Sequence, residues 1–321
     1  MRVLVTGGGG FLGSNVVAVA LARGDEVTAA VRSLPPRPAA GCRYAAVDLG
    51  DAEAVRRCAA EARPDTVVHT AIWNDFHGIY RDRRRAWDEY VGVTRTVADA
   101  ANAAGAVLVT VSTDWVFDGT GHLSDEETPP NPVNFYGLLK AASELVTLER
   151  ARAPVVARVS GVIGRHRARD DMPRKQDAGF GYFVESVVSA LEAGERFVVW
   201  ESDAINAVAA PSLAGLSARW MLELAERGAR GVFHCCCGEA TTRMELARAS
   251  AEAFGLDASL LASGPPDPAA LPPAPVPYDT SMDMGATARA LGREAPSLRE
   301  LLELFRLERE QARADAVAAA Q

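Results

Sequence analysis

Residues 6–13 read Thr-Gly-Gly-Gly-Gly-Phe-Leu-Gly and stand between a β-branched run at 3–6 and an Ala- and Val-rich stretch at 12–23. Gly7, Gly10 and Gly13 give a Gly-x-x-Gly-x-x-Gly spacing. Glycine lets the backbone turn tightly and approach a diphosphate, and the helix N-terminus that follows adds free amides and positive partial charge. A strand, a glycine turn and a helix in this order predict a βαβ unit with a dinucleotide crevice. Gly7, Gly10, Phe11, Leu12 and Gly13 are the expected cofactor contacts.

The pattern repeats. Apolar runs at 27–31, 66–70, 107–111 and 155–159 alternate with helical stretches such as 12–23 and 51–62. Alternation of this kind signals a parallel sheet, and nearly continuous apolar strands signal helices on both faces. The expected fold is α/β, a doubly wound, Rossmann-type parallel sheet with a smaller C-terminal substrate lobe. Residues 1–160 are mainly the dinucleotide-binding domain, and 161–321 mainly the substrate lobe with returning sheet elements. A polar break spans 165–177, and a Pro-rich loop spans 265–277 before a terminal helix from Ser297. The Ala-rich tail, 312–321, is expected to fray. No internal repeat is visible.

Formal net charge is -8 in 321 residues. Nucleic acid and anionic lipid both need excess Lys and Arg, so the expected partner is a small molecule. The opening residues show no signal-peptide pattern, and no apolar run approaches the roughly 20 residues of a membrane span, so a cytoplasmic location is expected. Five cysteines include three in a row, Cys235, Cys236 and Cys237. Consecutive strand residues face opposite sides, so these thiols cannot converge on a metal and are read as reduced, with no metal site.

The second strand ends at Arg32, where such folds inspect the adenosine ribose. An acid there would accept the 2′-hydroxyl, whereas arginine offers donors to a 2′-phosphate, so NADP(H) is favoured over NAD(H). Asp48 and Leu49 after the third strand and Ala71 after the fourth are further contacts by position. Tyr136 and Lys140 lie four apart on a predicted helix and share a face. An ammonium there favours tyrosinate, drawing the phenol from about 10 toward neutrality as an acid for a developing alkoxide. The strand at 107–111 delivers Thr113 to its C-terminal edge, where a hydroxyl can hold a carbonyl.

With these residues in place, the chain resembles the extended short-chain dehydrogenase/reductase superfamily and, within it, the dTDP-4-dehydrorhamnose reductase family. The resemblance is carried by Ser112-Thr113-Asp114-Trp115-Val116-Phe117-Asp118-Gly119, by Glu127, Pro132 and Tyr136-Gly137, and by runs at 158–164, 210–214 and 231–234. It implies a catalytic triad of Thr113, Tyr136 and Lys140, with Tyr136 and Lys140 also contacting the cofactor. It implies hydride transfer to a keto group of a nucleotide-activated deoxysugar. Relatives commonly dimerise through the helices predicted at 84–104 and 135–152, so a homodimer is expected.

Three places depart from the family pattern. The stretch Trp73-Asn74-Asp75-Phe76-His77-Gly78 with arginines at 81 and 83–85 is unlike the usual short substrate loop. Tyr90 replaces a common Asn, and 277–281 lack an Arg-Pro pair. Trp73, His77, Thr113, Asp114, Trp115 and Arg165 are the substrate candidates. Arg165, Arg167, Arg169, Arg174 and Lys175, with Asp170 and Asp171 among them, form either a diphosphate loop or a solvated one. The same triad serves epimerases holding NAD tightly, and dehydratases that add an acid pair, of which Trp115 lacks the second member. The resemblance also covers non-catalytic dinucleotide-binding regulatory subunits.

Overall fold

A computed structural model describes residues 1–169 and 176–319. The strands are β1 Arg2–Thr6, β2 Glu26–Val31, β3 Cys42–Ala46, β4 Thr66–His69, β5 Val107–Thr113, β6 Pro154–Val159, β7 Phe197–Trp200, β8 Val208–Ala209, β9 Gly231–His234, β10 Thr241–Thr242 and β11 Leu261–Gly264. The helices are α1 Phe11–Ala22, α2 Ala52–Ala62, α3 Phe76–Arg81, α4 Arg83–Trp87, α5 Val93–Ala104, α6 Phe135–Arg150, α7 Phe183–Glu192, α8 Ala214–Glu226, α9 Arg243–Phe254, α10 Gly285–Leu291 and α11 Leu298–Ala319.

Seven strands form one sheet in the order β3-β2-β1-β4-β5-β6-β9, and every pairing in it is parallel. The chain winds from β1 out to β3, then returns to β4 and continues the other way. Ligands of such sheets bind outside the carboxyl ends of the strands at this reversal, here the ends of β1 and β4. The doubly wound fold expected from the alternation is therefore the fold observed. Leu108, Val109, Val155 and Val156 are fully buried, as strands covered on both faces require. Burial of each such side chain stabilises the fold by about 1.5–3 kcal/mol.

The C-terminal half keeps a foot in the sheet through β9, and two small strand pairs, β7 with β11 and β8 with β10, build the rest. Cys235, Cys236 and Cys237 follow β9 and are completely buried, and burial pushes the Cys235 thiol up to about 12. The tail expected to fray is helical to Ala319 as the end of α11, whose earlier residues Leu301, Leu302 and Phe305 pack into the core; Ala320 and Gln321 lie outside the described residues. Between α4 and α5, where one helix was predicted over 84–104, a π-helical turn at 88–92 carries Tyr90. No described helix is long and apolar enough to cross a membrane.

Candidate active site

The glycine turn opens α1 with Gly10 at the N-cap, no side chain capping it and no acid in the first turn. Those uncapped amides suit an anion. A Cβ on Gly13 would stand 2.2 Å from the Gly7 carbonyl oxygen, so the helix meets the strand this closely only with glycine there. The residues present therefore fit a dinucleotide diphosphate. Arg32 follows the buried end of β2 and is exposed, as are Asp48 and the neighbouring turn it makes by accepting from Gly50 N at 2.9 Å. Leu49 and Ala71 are half-buried.

Asn134 caps α6 by accepting from Gly137 N at 2.8 Å, and its amide donates to the Pro275 carbonyl at 3.0 Å. The cap thus ties the helix to the C-terminal loop. Any Cβ at Gly137 would fall 2.2 Å from the Trp115 carbonyl, so glycine lets α6 begin against the end of β5. Tyr136 is half-buried on this helix. One turn on, the buried Lys140 ammonium donates to the Val111 carbonyl at 2.5 Å. Burial pulls Lys140 down to about 8, with Glu144 acting in the opposite sense.

Beyond β5, Thr113 donates its hydroxyl proton to Asp114 Oδ1 at 2.9 Å and accepts from Trp115 N at 3.3 Å. Asp114, a substrate candidate by sequence, is buried, and its Oδ2 accepts from Ser160 at 2.7 Å and Thr280 at 2.5 Å. Its carboxyl lies above the usual range because burial outweighs the three hydroxyl donors. The carboxylate joins β5, the end of β6 and the C-terminal segment. Ser112, beside them, is buried with its hydroxyl unpartnered.

The ring contacts of Tyr136 include Phe76 at 5.5 Å, Trp115 at 6.0 Å and Tyr90 at 6.2 Å between centroids. Phe76, which no sequence motif singles out, is the aromatic of the 73–78 stretch that meets Tyr136. Trp73 instead lies under the Arg85 guanidinium, 4.3 Å from its ring, and its carbonyl accepts from Tyr90 Oη at 3.0 Å. His77, the next residue along α3, is exposed. Tyr90 is buried, and burial holds its phenol well above the ordinary range.

His69, also unremarked in the sequence, is buried at the end of β4 with Nδ1 2.7 Å from Thr6 Oγ1 and Nε2 3.4 Å from Thr94 Oγ1. Burial, helped by Lys140, pulls it down to about 3, so it is neutral. Arg165 sits by the cofactor end: its carbonyl accepts from Asn15 of α1 at 2.9 Å, while Phe11 packs on His166 and Tyr182. Arg167 follows, 3.5 Å from Glu308. Asp170, Asp171, Arg174 and Lys175 lie outside the described residues.

A family model described as RmlD substrate binding domain matches residues 1–309. A probable low-salt glycan biosynthesis reductase of Haloferax volcanii is 28% identical over 82% of this chain and 83% of its own. The methionine adenosyltransferase 2 subunit beta of Mus musculus is 27% identical over 81% of this chain and 74% of its own. Among solved structures, the dTDP-4-dehydrorhamnose reductase of Bacillus anthracis in complex with NADP superposes with a TM-score of 0.78. It is 22% identical, over 96% of this chain and 99% of that one.

Proposed function

This chain belongs to the RmlD substrate binding domain family, and from that premise we propose that it is an NADPH-dependent reductase acting on a keto group of a nucleotide-activated deoxysugar. The observation that carries the reading is Tyr136 one helical turn before a buried Lys140 ammonium anchored at 2.5 Å to the β5 backbone, in a chain whose α1 also opens with uncapped amides.

A nicotinamide dinucleotide is the cofactor, and when bound it supplies the hydride. The amides that follow Gly10, with Gly7, Phe11, Leu12 and Gly13, would hold its diphosphate, and Arg32 would meet a 2′-phosphate. Tyr136 gives its phenolic proton to the alkoxide that develops as the carbonyl is reduced. Lys140 stabilises the resulting tyrosinate by its charge, one helical turn away. Thr113 keeps its own proton on Asp114. It therefore meets the substrate with a lone pair, which suits a ring hydroxyl better than the reacting oxygen. Phe76 and Trp115 offer aromatic faces to a sugar beside Tyr136.

Part of this reading is a homodimer through the helical segments 83–104 and 135–150, on which Trp87, Leu138 and Leu145 are 44%, 47% and 63% exposed. Light scattering should then give twice the 34.0 kDa chain mass. A second reading is favoured by the methionine adenosyltransferase subunit among the relatives: a dinucleotide-binding subunit without turnover. Titration with NADPH and NADH by nicotinamide fluorescence, followed by dTDP-4-keto-6-deoxy sugars and absorbance, separates the two. Oxidation of NADPH on adding sugar supports the reductase. Binding without oxidation supports the subunit.

A further inference from the structure

Glu144 follows Lys140 by four residues, as Lys140 follows Tyr136, so the three side chains form one stripe along α6. Lys140 is 6% exposed and Glu144 is 2% exposed. An ammonium taken out of water tends to lose its proton unless an opposite charge stands close. The Val111 carbonyl offers Lys140 a hydrogen bond but no counter-charge.

The neighbours of Lys140 from the elements around α6 leave few alternatives. From β4 comes His69, neutral at physiological pH; from the π-helical turn comes Tyr90, kept protonated by burial. Asp114, past the end of β5, already accepts three hydroxyl protons. At the far, exposed end, Asp99 of α5 pairs with Arg150 at 2.6 Å. Arg158 of β6 is engaged with Glu144 itself, through Nε to Oε1 at 2.9 Å and a terminal nitrogen to Oε2 at 2.7 Å.

That fork fixes the carboxylate. Arg158 is held in turn, with its other nitrogen donating to His234 Nε2 at 3.3 Å and its guanidinium 5.1 Å from the Phe117 ring. His234 Nδ1 donates to the Asp283 carbonyl at 2.6 Å. A bidentate arginine uses two of the roughly four lone-pair directions of a carboxylate, leaving Glu144 able to act on a second cation.

We propose that Glu144, clamped by Arg158, is the counter-ion that keeps the Lys140 ammonium charged and in place behind Tyr136, which makes Glu144 a positioning residue of the site. The inference rests on reading Tyr136 and Lys140 as the proton-donating pair. Its support is the shared stripe, the joint burial and the rigid fork that denies the carboxylate any other orientation. Burial draws the Lys140 ammonium toward losing its proton, and the Glu144 charge opposes that.

Lys140 and Lys175 are the only lysines of the chain, so the charge can be read directly. Protein labelled at lysine Cε with carbon-13 gives two resonances, and Lys175→Arg removes one to assign the other. In Glu144→Gln the Lys140 titration midpoint should fall by about one pH unit or more, and Glu144→Asp should restore most of the loss. Because Glu144→Gln leaves the buried Arg158 without its counter-charge, Glu144→Gln/Arg158→Met removes both charges together. Its midpoint should also fall, since Arg158 adds no push on Lys140 comparable to that of Glu144. A Lys140 midpoint unchanged from wild type in either folded variant overturns the proposal. With ketone present, the alkaline limb of kcat should move down with the lysine midpoint while KM stays within about twofold; a limb that stays put while the midpoint moves would deny that this charge serves turnover. The titration needs no substrate, so a chain that reduces no ketone would defeat the reductase reading and still report on Glu144.

Discussion

The Phe76 ring stands 5.5 Å from the Tyr136 ring at an interplanar angle of 46°, so α3 is the element that brings a second aromatic against the proposed acid. Trp115 closes the group by meeting Phe76 edge-on at 5.8 Å. The aromatic cluster around Tyr136 is thus built from α3, the turn after β5 and α6.

Phe76→Ala should raise KM for the ketone about threefold to tenfold, the worth of one aromatic contact of about 0.5–1.5 kcal/mol. His77→Ala, one residue on but exposed, should leave KM within about twofold. Steady-state kinetics of both variants decide the point, and a larger effect at His77 would move the substrate to the outer face of α3.

How much of this was legible in the sequence depends on range. The glycine turn and the Tyr136–Lys140 spacing are local patterns, so strand, turn and helix could be written down from neighbours alone. Phe76 could not, because Trp73 precedes α3 and a six-residue helix has too little periodicity to say whether Phe76 or His77 turns inward. Asp114 reads as a site acid next to Thr113. Only folding brings Ser160 and Thr280 against it, from 46 and 166 residues away, and makes it a buried joint. The pairing of Arg158 with Glu144 on one side and His234 on the other likewise joins β6 to α6 and β9.

The buried bases set a pH profile with two opposite arms. Lys140 titrates at about 8 against an ordinary 10.5, so turnover should fall as pH rises past about 8 and the ammonium is lost. Across the same window, from about 8 to 10.5, the unfolded chain holds the extra proton, so this group makes folding more favourable as pH rises. A loss of kcat above pH 8 with no loss of stability from this lysine is the expected outcome. Parallel loss of both would point to unfolding.

On the acid side, His69 and His234 are pulled by burial to about 3 from an ordinary 6.5. Between those values the unfolded chain binds protons that the folded chain refuses, so stability falls as pH drops below about 6.5. The loss is on the order of 1 kcal/mol per histidine per pH unit. Urea midpoints at pH 7.5 and pH 5 measure it, and equal midpoints would contradict neutral buried histidines.

Arg32 is exposed just past the end of β2, and the proposed reading has it meet the 2′-phosphate of NADPH. Arg32→Ala should weaken NADPH roughly tenfold to a hundredfold, the worth of charge-assisted hydrogen bonds of about 1.5–3 kcal/mol, and leave NADH nearly unchanged. Fluorescence titrations of both cofactors test this. An equal loss for the two would remove the 2′-phosphate contact.

In the proposed reaction Tyr136 delivers the proton that completes carbonyl reduction. Tyr136→Phe keeps the ring and its contacts with Phe76, Tyr90 and Trp115 while deleting the hydroxyl. Turnover of a dTDP-4-keto-6-deoxy sugar by the variant, measured by NADPH absorbance beside its NADPH affinity, should fall by about 10²–10⁴ with affinity within about twofold. Turnover near that of the wild-type chain would contradict the account.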